Sequence, residues 1–248
     1  IFEIIEEARK ERNERREKLG MSNEVFWYLF VGKLIPNRKI KNLLEAHKKC
    51  EDKVGLLIIG NGPDYGELNE YMRTHKNIIS IEQVPVQELH EYYAIVDGYV
   101  HPGKEPYSLS EIEAAISGIP IVTTNQVGAY LDVVCPGENG EILELDDIDA
   151  LEQALVSIAS GKFSKEKCSE MQEMILDTHE PDVIAEKFIK VMNICKEIFG
   201  KYAFRKYNKD YPTTASGDAI YNMKAINFEA LSKLDLSNFD TSQVTTMF

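Results

Sequence analysis

Short apolar runs alternate with segments of helical spacing from Val25 onward, and this alternation limits the possible folds more than any other feature of the sequence. Strands with so few polar residues are buried on both faces, which predicts a parallel sheet covered by helices on each side. Right-handed crossovers then give a doubly wound, Rossmann-like α/β domain. The runs that predict strands are Val25–Gly32, Val54–Gly60, Asn77–Ile81, Asp97–Pro102, Ile119–Thr124 and Glu141–Leu145.

The sequence predicts four segments. Residues 1–20 predict one helix, and residues 21–200 predict the Rossmann-like domain, which ends in three helices. Residues 201–230 are rich in turn-forming residues and predict a linker. Residues 231–248 differ in pattern from everything before them.

The composition excludes several classes of protein. A hydrophobic content of 44% is ordinary for a folded domain and argues against disorder. A net charge of −13 gives no support for a nucleic-acid partner, which would require a basic surface. No apolar run approaches the roughly 20 residues that cross a bilayer, and no signal peptide is recognisable. The four cysteines are widely spaced, so we expect reduced thiols in a cytoplasmic protein.

Doubly wound sheets bind ligands beyond the carboxyl ends of their strands, and several loops of this chain have suitable residues there. Gly32 and Lys33 are followed by Arg38 and Lys39, and cations near a helix N-terminus suit a phosphate group. A solvated basic turn explains the same residues without a ligand. Gly60 lies in a tight turn that would let the backbone approach a ligand, although such turns are also common as plain connections.

Two further strands end in candidate residues. His101 ends the fourth predicted strand, but a lone histidine is more often a packing residue than a catalyst. The loop Thr124–Gly128 could bind a phosphate through its N–H groups, or it could simply connect two elements.

The segment KEPYSLSEIEAAISG predicts a helix that ends at Gly118. Ser108 is the predicted N-cap, and Glu111, three residues later, completes a capping box. At 3.6 residues per turn, Glu111 lies on the face opposite the apolar one, where a charge is expected.

Glu113 lies on the apolar face of the same helix, beside Leu109 and Ile116. A buried carboxylate needs a donor, and an ionised one can accept protons from two hydroxyl groups. Glu105 precedes the helix and can face the same crevice, so the two carboxylates suit adjacent hydroxyls of a ribose or another sugar. A structural salt bridge or a helix-end contact is the alternative explanation of Glu113.

Other chemistries lack support. The sequence has no Ser/His/Asp or Cys/His arrangement typical of a hydrolase and no cluster with metal-ligand spacing. The first strand–helix turn lacks the G-x-G-x-x-G pattern of nicotinamide dehydrogenases.

Several motifs in a fixed order carry a resemblance to a known family. They are FVGKLIPNRKIKNLLEAH, LLIIGNGPDYGELNEYM, VHPGKEPYSLSEIEAAISGIPIVTTNQVGAYLDVV and NGEIL. Together they make residues 20–160 resemble the C-terminal, donor-binding domain of family 4 retaining glycosyltransferases, which have the GT-B fold.

The resemblance implies a binding site for a nucleotide-diphosphate sugar. Glu113 matches the glutamate that binds the ribose, and Glu105 matches the one near the donor sugar. Lys33 and Arg38 match the cations at the diphosphate, with Lys39 as an alternative to Arg38. The remaining implied donor-binding residues are Gly32, Gly60, Gln83 at the base, His101, Ser108, Leu109, and Val127 and Gly128 at the phosphates.

Three positions depart from the family pattern. Ser108 and Ala129 replace glycines, and Glu82 replaces the glycine before Gln83.

The resemblance also implies the reaction: transfer of a sugar from a UDP- or GDP-type donor, with retention, to an unknown acceptor, possible acceptors being a glycan or a lipid-linked sugar. No cofactor or metal is implied. A GT-B enzyme needs a second, N-terminal acceptor domain, so residues 1–20 would be the end of an interdomain connection. The chain is then a donor-binding half, either a fragment or a chain completed by a partner.

A noncatalytic nucleotide-sugar-binding or protein-interaction module is the alternative hypothesis. The segment SKLDLSNFDTSQVTTMF resembles one repeat of BspA-like, leucine-rich-type surface proteins. A single repeat buries little surface, because such solenoids need about three or more.

Overall fold

The computed structural model of the chain describes residues 2–179 and 182–193 and contains the parallel sheet that the sequence predicts. Its strands are β1 (Phe26–Val31), β2 (Val54–Ile59), β3 (Ile78–Ile81), β4 (Gly98–His101), β5 (Ile121–Thr124) and β6 (Gly140–Leu143). All neighbouring strands are parallel, in the order β3-β2-β1-β4-β5-β6. The predicted Rossmann-like α/β fold is confirmed.

Helices connect successive strands, as the apolar spacing predicts, and two 3-10 turns, Pro36–Arg38 and Val86–Glu88, precede the third and fifth helices. The short α7 is an element that the sequence did not predict. The helices are α1 (Phe2–Arg9), α2 (Arg12–Leu19), α3 (Ile40–Lys48), α4 (Tyr65–Met72), α5 (Leu89–Ile95), α6 (Leu109–Ile116), α7 (Tyr130–Val133), α8 (Ile148–Ala159) and α9 (Lys165–His179), and residues 182–193 are also helical.

The N-terminal segment forms two short helices instead of the single helix predicted over residues 1–20. The N–H groups of Lys10 and Glu11 bond three residues back, to the carbonyl oxygens of Glu7 and Ala8, and this tightened turn ends α1. α2 ends at Gly20, whose left-handed φ of 73° suits glycine.

Alternate side chains of β1 are buried on opposite faces of the sheet. On one face, Tyr28 and Phe30 pack with residues of α3 and α8, and the Tyr28 hydroxyl donates to the carbonyl oxygen of Leu155 (2.9 Å). On the other face, Trp27 and Leu29 pack with residues of α5 and α6. Because both faces are covered, β1 contains no polar side chain that faces solvent.

The strand order reverses between β1 and β4, which creates the switch point where doubly wound sheets bind ligands. The loops after β1, β2, β4 and β5 therefore meet at one edge of the sheet. At this edge, His101 of β4 lies beside Thr123 of β5 in the register of the two paired strands.

The described chain divides into two units after Asp177. The first contains the sheet, α1–α8 and most of α9. In the second, residues 182–193 are helical, and Lys187 Nζ donates to the carbonyl oxygen of Thr178 (3.3 Å). The predicted linker over 201–230, the repeat over 231–248 and Cys195 lie outside the described residues, within which Cys50, Cys135 and Cys168 are free thiols.

None of the helices in the described ranges is both long enough and apolar enough to cross a membrane.

An ion pair at the amino edge of the sheet joins α2 to β1 and to the turn before β4. Arg16 is only 4% exposed; its Nη2 lies 2.6 Å from Asp97 Oδ2, and its Nε donates to the carbonyl oxygen of Ile95 (2.6 Å). Asp97 also pairs with Arg12 and accepts a hydrogen bond from the N–H of Trp27 (2.9 Å). The carboxylate of Asp97 therefore contacts two guanidinium groups and the backbone of β1.

We expect Asp97→Ala to lower the free energy of unfolding by about 3 kcal/mol, because Arg16 would keep a buried charge without its partner. Urea denaturation followed by circular dichroism measures the change. The matched control is Glu14→Ala, which removes the exposed pair between Glu14 and Lys18 and should change stability little. Equal effects of the two substitutions would contradict the assignment.

Candidate functional site

A charged cluster lies at the switch point, where the segment after β1 meets the end of β4 and the loop between β4 and α6. Arg38 forms an ion pair with Glu105 and donates from Nη1 to the carbonyl oxygen of Lys104 (3.0 Å). His101 Nε2 lies 3.3 Å from Glu105 Oε2. The structure thus brings together three of the residues that the sequence predicts for the site, Arg38, Glu105 and His101.

Glu105 is held in its ionised form. Burial alone would raise its pKa, but His101 and Arg38 more than offset that effect, so the pKa lies below its ordinary value. Glu105 is 22% exposed, which leaves part of the carboxylate open to the crevice. The site therefore presents a fixed negative charge beside a guanidinium group.

His101 is a buried side chain with unused hydrogen-bonding capacity. It is 1% exposed, and neither ring nitrogen makes a hydrogen bond with any of the described residues. Its approach to Glu105 is close enough for an ion pair but misaligned for a hydrogen bond. A buried polar group without a partner is costly, so this histidine suits a site that a ligand completes.

Backbone hydrogen bonds hold Glu105 to the loop after β5. Its N–H donates to the carbonyl oxygen of Gln126 (3.0 Å), and its own carbonyl oxygen accepts the N–H of Gly128 (3.0 Å). The N–H of Val127 donates to Thr124 (3.2 Å). Because Val127 and Gly128 already use their N–H groups in this way, their implied contact with phosphates stays a prediction.

Glycines allow the strand-end loops to pack this closely. A Cβ placed on Gly128 would lie 2.0 Å from the carbonyl oxygen of Pro106, and one on Gly60 would lie 1.9 Å from that of Gly32. Both contacts are with backbone and cannot be relieved by a side-chain rotation.

The remaining cations of the site differ in their partners. Lys33 is exposed and forms no ion pair within the described ranges, so it is available at the end of β1. Lys39 has a left-handed φ of 53°, and its Nζ lies 2.7 Å from Asp146 Oδ1. Of the two alternatives for the second cation, Arg38 is therefore the one at the cluster, and Lys39 is directed to the loop after β6.

Ser108 caps α6, as predicted, and a polar network fixes the first turn of this helix. The Ser108 Oγ accepts the N–H of Glu111 (3.3 Å) and lies 3.1 Å from Ser110 Oγ. Ser110 Oγ also contacts the Tyr99 hydroxyl (2.8 Å) and donates to the carbonyl oxygen of Val31 (3.4 Å). The start of α6 is thereby joined to β4 and to the carboxyl end of β1.

Glu113 lies on the side of α6 that faces α5. The Tyr93 hydroxyl lies 3.0 Å from Glu113 Oε2 and 2.9 Å from the carbonyl oxygen of Ser110, so its single proton is shared by two acceptors. Burial raises the pKa of Glu113, and the hydrogen bond from Tyr93 only partly offsets this. The carboxylate is half-buried and has no cation partner within the described residues, so the salt-bridge alternative is not observed.

The predicted faces of α6 were wrong in two respects. Leu109, predicted to be buried, is 54% exposed, whereas Glu111, predicted to face solvent, is fully buried. The side that packs on the sheet consists of Glu111, Ala114 and Ala115, because small side chains let the helix approach closely. Ile112 and Ile116 are only partly buried.

Glu111 is the residue of this region that the sequence analysis missed. Its Oε2 accepts a hydrogen bond from Thr123 Oγ1 (3.0 Å) instead of closing a capping box, and its Oε1 is buried without a hydrogen-bond partner in the part of the chain that the structure describes. Burial raises its pKa to about 8. No sequence signal distinguishes it, because a serine followed three residues later by a glutamate also predicts an ordinary capping box.

The remaining predicted positions lie at the same edge of the sheet. Gln83 is exposed in the loop after β3, and the neighbouring Glu82 accepts a hydrogen bond from Asn61 Nδ2 (3.0 Å) in the loop after β2. Within the described ranges no group of histidine, cysteine and carboxylate side chains is arranged to hold a metal ion.

A comparison with protein families identifies the region that contains this site. Residues 11–176, more than half of the chain, match the family described as "Glycosyl transferases group 1".

Curated proteins similar to this chain transfer sugars, as their names state. The capsular polysaccharide biosynthesis glycosyltransferase CapM of Staphylococcus aureus is 27% identical over 175 residues, which cover 66% of this chain and 44% of that protein. A GDP-mannose-dependent alpha-mannosyltransferase of Mycolicibacterium smegmatis is 30% identical over 129 residues, which cover 52% of this chain and 33% of that protein. The chain therefore spans less than half the length of these relatives.

Among solved structures, Alr3699/HepE of Anabaena in complex with UDP-glucose has the same fold. It superposes with a TM-score of 0.64 at 19% identity, covering 74% of this chain and 52% of that one.

We expect Gly128→Ala to destabilise the chain by about 1–3 kcal/mol, because its Cβ would collide with the backbone that carries Glu105. Gly66→Ala in α4 is the control, since a Cβ there meets no atom within 4 Å and should stabilise the helix slightly. Thermal denaturation of both variants tests the difference, and a neutral Gly128→Ala would contradict the close packing of the two loops.

Glu111→Gln should remove a pH dependence of stability. Because the pKa of Glu111 is raised to about 8 in the folded chain, folding retains a proton that the unfolded chain has released. The free energy of unfolding of the wild type should therefore fall, relative to Glu111→Gln, as the pH rises from about 5 to about 8, by at most about 1.4 kcal/mol per pH unit. Denaturant titrations across this range measure it, and a constant difference would contradict the buried neutral acid.

Proposed function

The chain belongs to the group 1 glycosyl transferase family, and we propose that it is the donor-binding half of an enzyme that transfers a sugar from a nucleotide diphosphate. The observation that carries the proposal is the cluster at the switch point, where Arg38 and His101 flank the ionised Glu105. Lys33 follows β1 and Glu113 lies on α6, and Ser110 of α6 is hydrogen-bonded to Val31 at the end of β1. Cations and carboxylates so arranged suit a diphosphate and the hydroxyl groups of its sugars.

Lys33 and Arg38 would bind the diphosphate and stabilise the negative charge that develops on it as the glycosidic bond breaks. Lys33 has no ion-pair partner within the described residues, so it can bind a phosphate without losing a contact. Arg38 would share its guanidinium group between Glu105 and the ligand, since its two Nη atoms already contact separate acceptors. These side chains can supply the positive charge that a metal ion supplies in other transferases, and we propose that no metal is required.

Glu113 would accept the two hydroxyl protons of the ribose. Its Oε2 is oriented by Tyr93, and the carboxylate lacks any cation partner within the described ranges, so its acceptor capacity is available to a ligand. Glu105 and His101 would contact the sugar that is transferred. The unsatisfied ring nitrogens of His101 are the strongest support for this part, because a sugar hydroxyl would remove the cost of burying them.

The donor would be a UDP- or GDP-type sugar, with its base beside Gln83. The name of the mycobacterial relative specifies GDP-mannose, and the Anabaena structure contains UDP-glucose, so both bases occur among similar proteins. Membership of family 4 and retention of configuration are parts of the proposal that rest on the two glutamates, Glu105 and Glu113, eight residues apart.

The acceptor would be bound by a second domain or by a partner chain. The relatives are more than twice as long as the region they share with this chain, which supports an additional acceptor-binding part. The name of one relative specifies capsular polysaccharide biosynthesis, which supports a glycan acceptor. A lipid-linked acceptor and a cytoplasmic reaction are further parts of the proposal.

Calorimetric titration with UDP and with GDP tests the site. At least one nucleotide should bind, Glu113→Gln and Lys33→Ala should each weaken binding roughly tenfold or more, and EDTA should have no effect. The matched controls are Glu70→Gln on α4 and Lys53→Ala before β2, both exposed and outside the site. Absence of binding at millimolar nucleotide, or equal losses in the controls, would contradict the proposed function.

A further inference from the structure

Glu111 is a buried carboxyl group that the proposed roles of the site do not use. Its side chain is fully buried between the first turn of α6 and β5, where Oε2 accepts a hydrogen bond from Thr123 Oγ1 (3.0 Å). Its Oε1 is buried with no hydrogen-bond partner in the described chain, and no described cation forms an ion pair with it. An ionised carboxylate in such surroundings would be strongly disfavoured, whereas a neutral carboxylic acid carries a smaller cost of burial.

The position of Glu111 connects it to the anion site. Thr123, its hydrogen-bond partner, is paired in register with His101, and His101 lies 3.3 Å from Glu105. The N–H of Glu111 donates to Ser108 at the N-terminus of α6, the end of a helix that attracts anions. Negative charge on Glu105 already disfavours ionisation of Glu111.

We propose that Glu111 is a proton-bearing positioning residue of the nucleotide site, whose carboxyl group must be neutral for the diphosphate to bind. The inference rests on the proposed function, since it requires an anionic ligand at Lys33 and Arg38. An ionised Glu111 would add an uncompensated negative charge behind Glu105 and would weaken the positive N-terminus of α6. A bound diphosphate therefore favours the protonated acid.

The consequence is that nucleotide binding and proton uptake are coupled at alkaline pH. Where Glu111 is ionised in the free protein, one proton passes from the solvent to its carboxylate as the nucleotide binds, and no covalent bond changes. With a pKa of about 8 in the free protein, the affinity at pH 9 should be about tenfold lower than at pH 7.

Other ionisable groups surround Glu111, and the test must distinguish their titration from that of Glu111. Tyr99 of β4 and Tyr93 of α5 are buried phenols whose pKa values are raised mainly by burial, so both stay protonated in this range. The remaining groups are His101 of β4, Glu105 with its partner Arg38, and Glu113 of α6. All of them remain in a Glu111→Gln variant, so any pH dependence that they cause survives there.

The test is calorimetric titration of the whole chain with UDP and GDP between pH 6.5 and pH 9.5, in buffers of different ionisation enthalpy. The wild type should lose about tenfold in affinity per pH unit above the pKa of Glu111 and take up about one proton per nucleotide bound. Glu111→Gln should show neither the loss nor the proton uptake. Equal pH profiles in the two proteins would overturn the inference.

Thr123→Val provides an independent test, which is needed if Glu111→Gln does not fold. It removes the hydrogen bond that favours the ionised form of Glu111, so the decline in affinity should move to a more alkaline pH. An unchanged midpoint would overturn the inference. These outcomes differ from failure of the proposed function, in which the wild type binds neither nucleotide at any pH.

Discussion

The backbone contact between the loop after β4 and the loop after β5 is the constraint on which the site depends. Two hydrogen bonds join Glu105 to Gln126 and Gly128, and the contact is so close that a side chain at Gly128 would not fit. Because both loops leave adjacent parallel strands, their relative position is set by the sheet itself. Glu105 is thus placed by main-chain geometry, and Arg38 and His101 keep its carboxylate ionised.

The site contains three carboxyl groups whose surroundings give them different states. Glu105 is ionised because a guanidinium group and an imidazole ring lie beside it, Glu113 has one phenolic donor, and Glu111 has one hydroxyl donor and an unsatisfied oxygen. The pKa of Glu105 is lowered by His101 and Arg38, whereas burial raises the pKa of Glu113 and raises that of Glu111 to about 8. Three residues of one chemical type within one loop and helix therefore suit three tasks.

The sequence predicted the sheet well. Most of its strands are short apolar runs, which is the pattern expected of strands buried on both faces of a sheet. It also placed Arg38, Glu105 and His101 in one predicted site, since each lies at or after the end of a strand at the same edge of the sheet. It failed on α6, where Ala114 and Ala115 allow close packing and turn Glu111 inward against Thr123. The side chain that contacts Glu111 belongs to Thr123 of β5, outside the helix. Neither helical periodicity nor capping rules could therefore identify the burial of Glu111. The break between α1 and α2 was missed for a similar reason, since no proline or glycine marks it.

The ion pairs of Arg12 and Arg16 with Asp97 limit how far the chain can be shortened from its N-terminal side without loss of part of the domain. α1 and α2 precede the first strand and could be mistaken for a removable leader. Without them, Asp97 would lose two guanidinium partners, and Ala94, which now packs with Ile5 and Ala8, would become accessible to water. A truncation at Met21 would therefore remove part of the domain, and any shortened protein made for biochemical work should retain these helices.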